Sequence, residues 1–101
     1  MLEIRFATIG TSKITRNFLS AASNVPEFKL EAVYSRNIKN AEEFGNSYGV
    51  TKFYDNLTSL AEDSTIDAVY IASPNAFHCS QAIQMMKAGK HILCEKTIAS
   101  N

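Results

Sequence analysis

Tryptophan is absent, and proline, cysteine and glycine are scarce: two, two and four residues in a chain of 101. The two cysteines, Cys79 and Cys94, have no CxxC spacing and no cluster of metal ligands around them. That excludes a disulfide scaffold and a zinc module, and makes them small buried hydrophobes of a reducing compartment. Excess charge of one sign is missing too. Lys plus Arg and Asp plus Glu each number 10, so no net field draws the chain to nucleic acid or to an anionic membrane. No apolar run reaches the length of a membrane span, and the N-terminus enters an alternating strand pattern rather than a signal peptide. A cytoplasmic protein is the expectation, in which the sequon-like triplet Asn56-Leu57-Thr58 has no meaning. What is present is 46% apolar and 20% charged residues, the balance of one globular domain that buries roughly two thirds of its unfolded surface.

Strand and helix patterns alternate along the whole chain. Leu2 to Ile9 reads as a strand ending at Gly10, and Thr11 and Ser12 can cap a helix whose apolar face is Ile14, Phe18, Leu19 and Ala22. Pro26 breaks that helix, and Lys29 to Tyr34 forms the second strand. Asn40-Ala41-Glu42-Glu43 has the spacing of a capping box, with Phe44 and Tyr48 following and Gly49 closing the helix. Val50 to Tyr54 is a short third strand, and Asn56 to Asp63 gives one or two helical turns with Leu57 and Leu60 inward. Ala68 to Ala72 is a continuous apolar run, as in a strand buried on both faces. Pro74 and Asn75 open the last helix, with Ile83 and Met86 on one face and Gly89 at its end, and His91 to Cys94 is the fifth strand.

Strands separated by helices pair in parallel through right-handed crossovers. The expected fold is α/β, a doubly wound Rossmann sheet of strand order 3-2-1-4-5. A full mononucleotide-pair fold has a sixth strand, so residues 1–101 read as a dinucleotide-binding domain truncated before it. The fifth strand then becomes a sheet edge, with His91, Ile92 and Leu93 beside unpaired backbone groups, and self-association through that edge is expected.

In such a sheet ligands bind beyond the carboxyl ends of the strands. Gly10-Thr11-Ser12-Lys13-Ile14 joins the first strand to the first helix, where free N–H groups and the helix dipole suit a pyrophosphate. The usual G-x-G-x-x-G is degraded there: Ser12 replaces the second glycine and Thr15 the third, and an ordinary tight turn is the competing reading. About 25 residues beyond Gly10 the second strand ends at Ser35-Arg36, where an acid would bind both ribose hydroxyls and repel a 2′-phosphate. A small hydroxyl and a guanidinium suit the phosphate instead, which favours NADP over NAD; a solvated loop charge is the alternative for Arg36. After the fourth strand, Ser73 and Asn75 carry polar groups toward the same crevice, although capping alone would account for Asn75. His78, in that helix's first turn, is a candidate donor behind the first layer of contacts, against the commoner reading of a packed or solvated residue. Neither it nor His91, read as structural, makes a metal site. Glu95-Lys96 follows the fifth strand, and Lys96 is a candidate proton donor or acceptor, against the simpler reading of a solvated charge pair.

Together these segments resemble the N-terminal domain of the Gfo/Idh/MocA oxidoreductases, the glucose-fructose oxidoreductase and inositol dehydrogenase group. Ile9 to Ile14 looks like the family's G-x-G-x-I loop, Asp67 to His78 like its D-x-V-x-I-A/S-S/T-P-N-x-x-H segment, and Ala88 to Lys96 like its A-G-K-H-V-x-x-E-K-P segment. The resemblance implies a pyridine-nucleotide-dependent dehydrogenase or reductase acting on a sugar, polyol or related compound. It also implies that Lys96 positions substrate and takes part in proton relay, that Glu95 borders the nicotinamide, and that a C-terminal domain supplies most substrate contacts. Ser12 departs from the family's glycine, and Thr97 from the proline that aims the lysine. A non-catalytic nucleotide-binding module that senses redox state is the second reading. An unrelated Rossmann-type enzyme is the third, though the short-chain group's Tyr-x-x-x-Lys pair is missing.

Overall fold

The computed structural model describes residues 3–10, 13–72 and 75–94, with backbone alone at 13, 14, 75–79 and 94. Its elements follow the order β1 (Ile4–Ile9), α1 (Lys13–Ala22), β2 (Phe28–Tyr34), α2 (Ile38–Asn46), β3 (Lys52–Tyr54), α3 (Leu57–Glu62), β4 (Ala68–Ile71), α4 (Asn75–Lys87) and β5 (His91–Cys94). The five strands form one parallel sheet of order β3-β2-β1-β4-β5. Side chains alternate between its faces. On one, Phe6, Val33 and Ala68 pack with Leu19 and Ala22 of α1 and with Ala41 and Phe44 of α2. On the other, Ala7, Ile9, Tyr34, Val69 and Ile71 pack with Leu60 of α3 and Met85 of α4. The sheet is thus wound on both sides, and its central strands β1 and β4 are the most buried.

Strand pairing required one irregularity. Phe6 pairs with Leu30 but Ala7 with Ala32, so Glu31 is an extra residue in β2. The bulge restores the alternation above and below it, and Glu31 lies 3.5 Å from Lys52 on β3.

Two helices differ from the sequence expectation. The N-cap of α2 is Asn37, whose extended backbone (φ −111°, ψ 116°) lets its side chain accept the Lys39 N–H at 2.9 Å. Asn40 and Glu43 therefore sit inside the helix, because a cap three residues earlier satisfies the first orphan donors. The helix also ends at Asn46, and Gly49, at φ +75°, closes the turn after it. In α4 the inward residues are Met85 and Gln81, whereas Ile83 and Met86, the apolar pair read on one face, are 45% and 56% exposed. Apolar residues at 82, 83, 85 and 86 allow two stripes at helical spacing, and contact with the sheet decided between them.

Gly45 shows how closely α2 approaches β3. A Cβ there would stand 2.5 Å from Phe53 Cε1 and 3.4 Å from Val33 Cγ2. Overpacking of this kind costs about 1–3 kcal/mol, against a gain of about 1 kcal/mol in helix propensity. Gly45→Ala is therefore expected to destabilise the protein by about 1 kcal/mol. A urea-unfolding midpoint equal to or above that of the parent would show that Phe53 swings away without cost.

Candidate functional site

Register brings the strand ends into one row. Tyr54 is opposite Tyr34, Tyr34 opposite Ile9, Ile9 opposite Ile71, and Ile71 opposite Cys94. The residues that leave these strands, Gly10, Ser35, Asp55 and Ala72, consequently share the carboxyl edge of the sheet. β1 and β4 are adjacent there, while α1 and α4 depart to opposite faces. This is the topological switch point at which open α/β sheets bind ligands.

Gly10 makes the crossing at that point possible. Its φ of +111° lies where an L side chain is strained, and a Cβ would meet the Ala72 carbonyl oxygen at 3.2 Å. Its N–H donates to Tyr34 O at 3.2 Å, and the Ala72 N–H donates to Ile9 O at 2.9 Å, so the first loop is tied to both neighbouring strands. Helix α1 begins at Lys13, which brings its N-terminal end directly after this turn. Phe18, one turn further along, stacks on Tyr70 at 3.9 Å and meets Phe6 edge-on at 5.7 Å, anchoring α1 over β1 and β4. Thr15, at the position of the degraded motif's third glycine, is fully buried, and its hydroxyl, like that of Thr8, has no hydrogen-bond partner among the described residues. A glycine at 15 serves close helix–strand packing; here a buried threonine fills that space.

At the end of β2 the Ser35 N–H donates to Tyr54 O at 3.0 Å, and the Ser35 hydroxyl accepts the Asn37 N–H at 3.3 Å. Ser35 is half-buried and Arg36 exposed, just before the Asn37 cap. No carboxylate occupies the end of β2. Tyr34 is buried, and burial raises its phenol; the Arg36 charge opposes this shift and the Asp55 charge adds to it.

The amino end of the sheet is built differently, around a lysine whose role was not legible in the sequence. Lys90, 7% exposed, donates from Nζ to Asp63 O at 2.7 Å and Ile66 O at 3.0 Å. It thus satisfies the carbonyls of the turn before β4 from the start of β5. Burial pushes its ammonium down, against the charges of Asp63 and Asp67. Asp67 accepts the Arg5 N–H at 2.9 Å and lies 3.5 Å from Arg5 Nε, while its own carbonyl accepts the His91 N–H at 3.1 Å. The Asp of one motif and the Gly-Lys-His of the next therefore hold three strand starts in register, and His91 is structural through its backbone. The signal that could have found Lys90 is a lysine placed directly between a helix-ending glycine and a buried strand. A concavity of about 620 Å³ at this end is walled by Ile4, Phe28, Asp67, Lys90 and Leu93, on the far side of the sheet from the switch point.

Asp63 closes the same end. Its carboxylate accepts from the Tyr54 hydroxyl (2.5 Å), the Thr65 hydroxyl (2.6 Å), the Thr65 N–H (2.9 Å) and Lys52 Nζ (3.4 Å). Burial opposes its ionisation, yet the bonds from Thr65 and Tyr54 and the charge of Lys52 hold the carboxyl well below the usual carboxylate range. Burial and the bond to Asp63 push the Tyr54 hydroxyl up to about 12. A carboxylate whose folded pKa is depressed contributes stability that is complete above its unfolded pKa of about 3.9 and is lost as pH falls toward the folded value. Unfolding midpoints are therefore expected to drop steadily below about pH 4. Asp63→Asn should lower the neutral-pH midpoint and flatten that acid slope; an unaltered slope would remove Asp63 from the account.

Of the residues singled out in the sequence, Gly10, Ser35 and Arg36 stand along the carboxyl edge of the sheet. Lys13 and Ile14 lie at the start of α1, and Asn75 and His78 in the first turns of α4, with side chains outside the described residues. Thr11, Ser12, Ser73, Glu95 and Lys96 lie outside the described residues altogether, as does Thr97. Among the described residues no group of three metal-ligating side chains converges, and no helix is long and apolar enough to cross a membrane.

A glycine turn at the switch point of a doubly wound parallel sheet, leading into a helix N-terminus, defines a dinucleotide-binding domain of Rossmann type. The family model for oxidoreductases with an NAD-binding Rossmann fold, Gfo/Idh/MocA, matches residues 4–101, and the chain belongs to that family. A scyllo-inositol 2-dehydrogenase (NADP(+)) of Bacillus subtilis is 49% identical over 98 residues, covering 97% of this chain and 30% of the relative. A 3-ketoreductase from Actinomadura kijaniata, solved in complex with NADP and TDP-benzene, superimposes with a TM-score of 0.86 at 30% identity, over 95% of this chain and 30% of the other. A levoglucosan dehydrogenase in complex with NADH and levoglucosan gives a TM-score of 0.86 at 26% identity, over 93% of this chain and 27% of the other. The chain spans about 30% of the length of the curated relatives it matches.

Proposed function

We propose that this domain binds NADP in preference to NAD, and that it serves an enzyme moving hydride between the nicotinamide and a sugar, polyol or related compound. The observation that carries the cofactor preference is the end of β2, where Ser35 stands in place of an acid and the exposed Arg36 follows it. An acid there would repel a 2′-phosphate, whereas a hydroxyl and a guanidinium offer it charge-assisted hydrogen bonds. The Bacillus subtilis relative, named as NADP(+)-dependent, supports the preference, and the neighbours solved with NADP and with NADH support the wider cofactor class.

Gly10, Thr11, Ser12, Lys13 and Ile14 would hold the pyrophosphate by backbone N–H groups at the start of α1. Gly10 fits that part, because the backbone passes so close to Ala72 that no Cβ fits without strain. Ser73, Asn75, His78 and Glu95 would border the nicotinamide half. The bound cofactor supplies a carbon that accepts or gives a hydride. Lys96 would hold and move the proton of the substrate hydroxyl, an acid–base part that lysine side chains can play. The second reading, a redox-sensing module without catalysis, is favoured by Ser12 and by Thr97, which stands where the family has the proline that aims the lysine. Titration of the full-length protein with NADP and NAD, followed by turnover against a panel of sugars and polyols, separates the two. Tight NADP binding with no turnover on any of them would move the assignment to the sensing module.

A further inference from the structure

One residue at the carboxyl edge is not absorbed by the cofactor assignment. Asp55 directly follows β3, and its neighbour Tyr54 is opposite Tyr34 and accepts the Ser35 N–H at 3.0 Å. Adjacent strands lie about 4.8 Å apart, so Asp55 and Ser35 leave the sheet side by side. Both exits are fixed from behind. Asn37 caps α2 just past Arg36, and Asn56 caps α3 just past Asp55, accepting the Thr58 and Ser59 N–H groups at 2.8 and 3.1 Å. Asp55 is exposed, and its carboxylate engages no hydrogen bond or ion pair among the described residues.

We propose that Asp55 is a specificity determinant of the cofactor site, a fixed negative charge that opposes a phosphate held at Ser35 and Arg36 and so narrows the margin between NADP and NAD. The inference rests on the NADP reading above and goes beyond it, because it places part of the selectivity one strand farther out than the ribose position. The charges of Arg36 and Asp55 already act in opposite senses on the Tyr34 phenol between them. A phosphate on the ribose carries nearly two negative charges. At strand-neighbour separation it lies well within the Debye length of about 8 Å at physiological salt, so repulsion from Asp55 is only partly screened. The same carboxylate leaves a neutral ribose hydroxyl almost untouched, which is why the effect is selective.

The test is the pair of dissociation constants for NADP and NAD in the full-length protein, for the parent, Asp55→Asn, Arg36→Ala and the double variant, at low and at high salt. Asp55→Asn should tighten NADP by roughly 3- to 10-fold at low salt while NAD stays within about twofold, and high salt should erase most of the gain. In the Arg36→Ala background the gain should persist in sign, because the repulsion is between carboxylate and phosphate. An unchanged ratio of the two constants in Asp55→Asn, with Arg36→Ala still weakening NADP, overturns the role of Asp55 alone. Loss of NAD affinity in Asp55→Asn overturns it in another way, by making the carboxylate an acceptor for a ribose hydroxyl. A ratio that Arg36→Ala leaves untouched overturns the phosphate site itself, and this inference with it.

Discussion

Gly10→Ala is expected to weaken NADP and NAD equally, by about tenfold or more, and to lower stability by about 2 kcal/mol. The backbone at Gly10 has φ +111°, a region that costs an L residue about 1–3 kcal/mol. At that torsion the new Cβ would also stand 3.2 Å from the Ala72 carbonyl oxygen and 3.3 Å from its carbon. Either the β1–β4 contact opens or the loop shifts, and the loop is where α1 begins. Any shift moves the helix N-terminal N–H groups away from a pyrophosphate that both cofactors share. The predicted signature is therefore a loss in both dissociation constants at an unchanged ratio, accompanied by a lower denaturant midpoint. A variant that unfolds earlier but binds both cofactors as the parent does would show that the pyrophosphate is held elsewhere.

Ser35→Asp combined with Arg36→Ala is expected to do the opposite, changing the ratio with little effect on the fold. Removing one charge-assisted phosphate contact and adding a repelling carboxylate is worth about 1–3 kcal/mol, a shift of roughly 5- to 150-fold toward NAD. Stability should hold, because the Asn37 N–H that now donates to the Ser35 hydroxyl at 3.3 Å can donate to an aspartate oxygen instead. Arg36 is exposed, so its truncation leaves no cavity. Parallel titrations with the two cofactors read the result, and equal affinities before and after would remove the 2′-phosphate from this end of β2.

These two experiments probe features that differ in how they arise. The glycine turn was visible in the chain because a tight strand-to-helix turn demands a residue tolerant of positive φ, and Gly10 stands directly after an apolar run. The end of β2 was visible for a similar local reason: it follows Gly10 at the spacing of one βαβ unit. Asp63 and Lys90 were not visible. Each needs partners from other elements: Asp63, besides its local bonds from Thr65, needs Tyr54 and Lys52 of β3, and Lys90 needs the carbonyls of Asp63 and Ile66. A lysine beside a glycine reads as a solvated charge until the neighbouring turn is seen to turn its carbonyls toward it.

Local sequence by itself determined the alternation of strands and helices, the parallel sheet of order β3-β2-β1-β4-β5 and the position of the Gly10 turn. Periodicity, glycine placement and the handedness of crossovers act over short stretches and survive any packing that follows. Tertiary structure alone decided the bulge at Glu31, the turning of Met85 rather than Met86 toward the sheet, the close approach of Gly45 to Phe53, and the adjacency of Asp55 to Ser35. Each of these depends on the phase or register of one element against another. That phase is set by filling a shared core at near-crystalline density, which no single segment of the chain encodes.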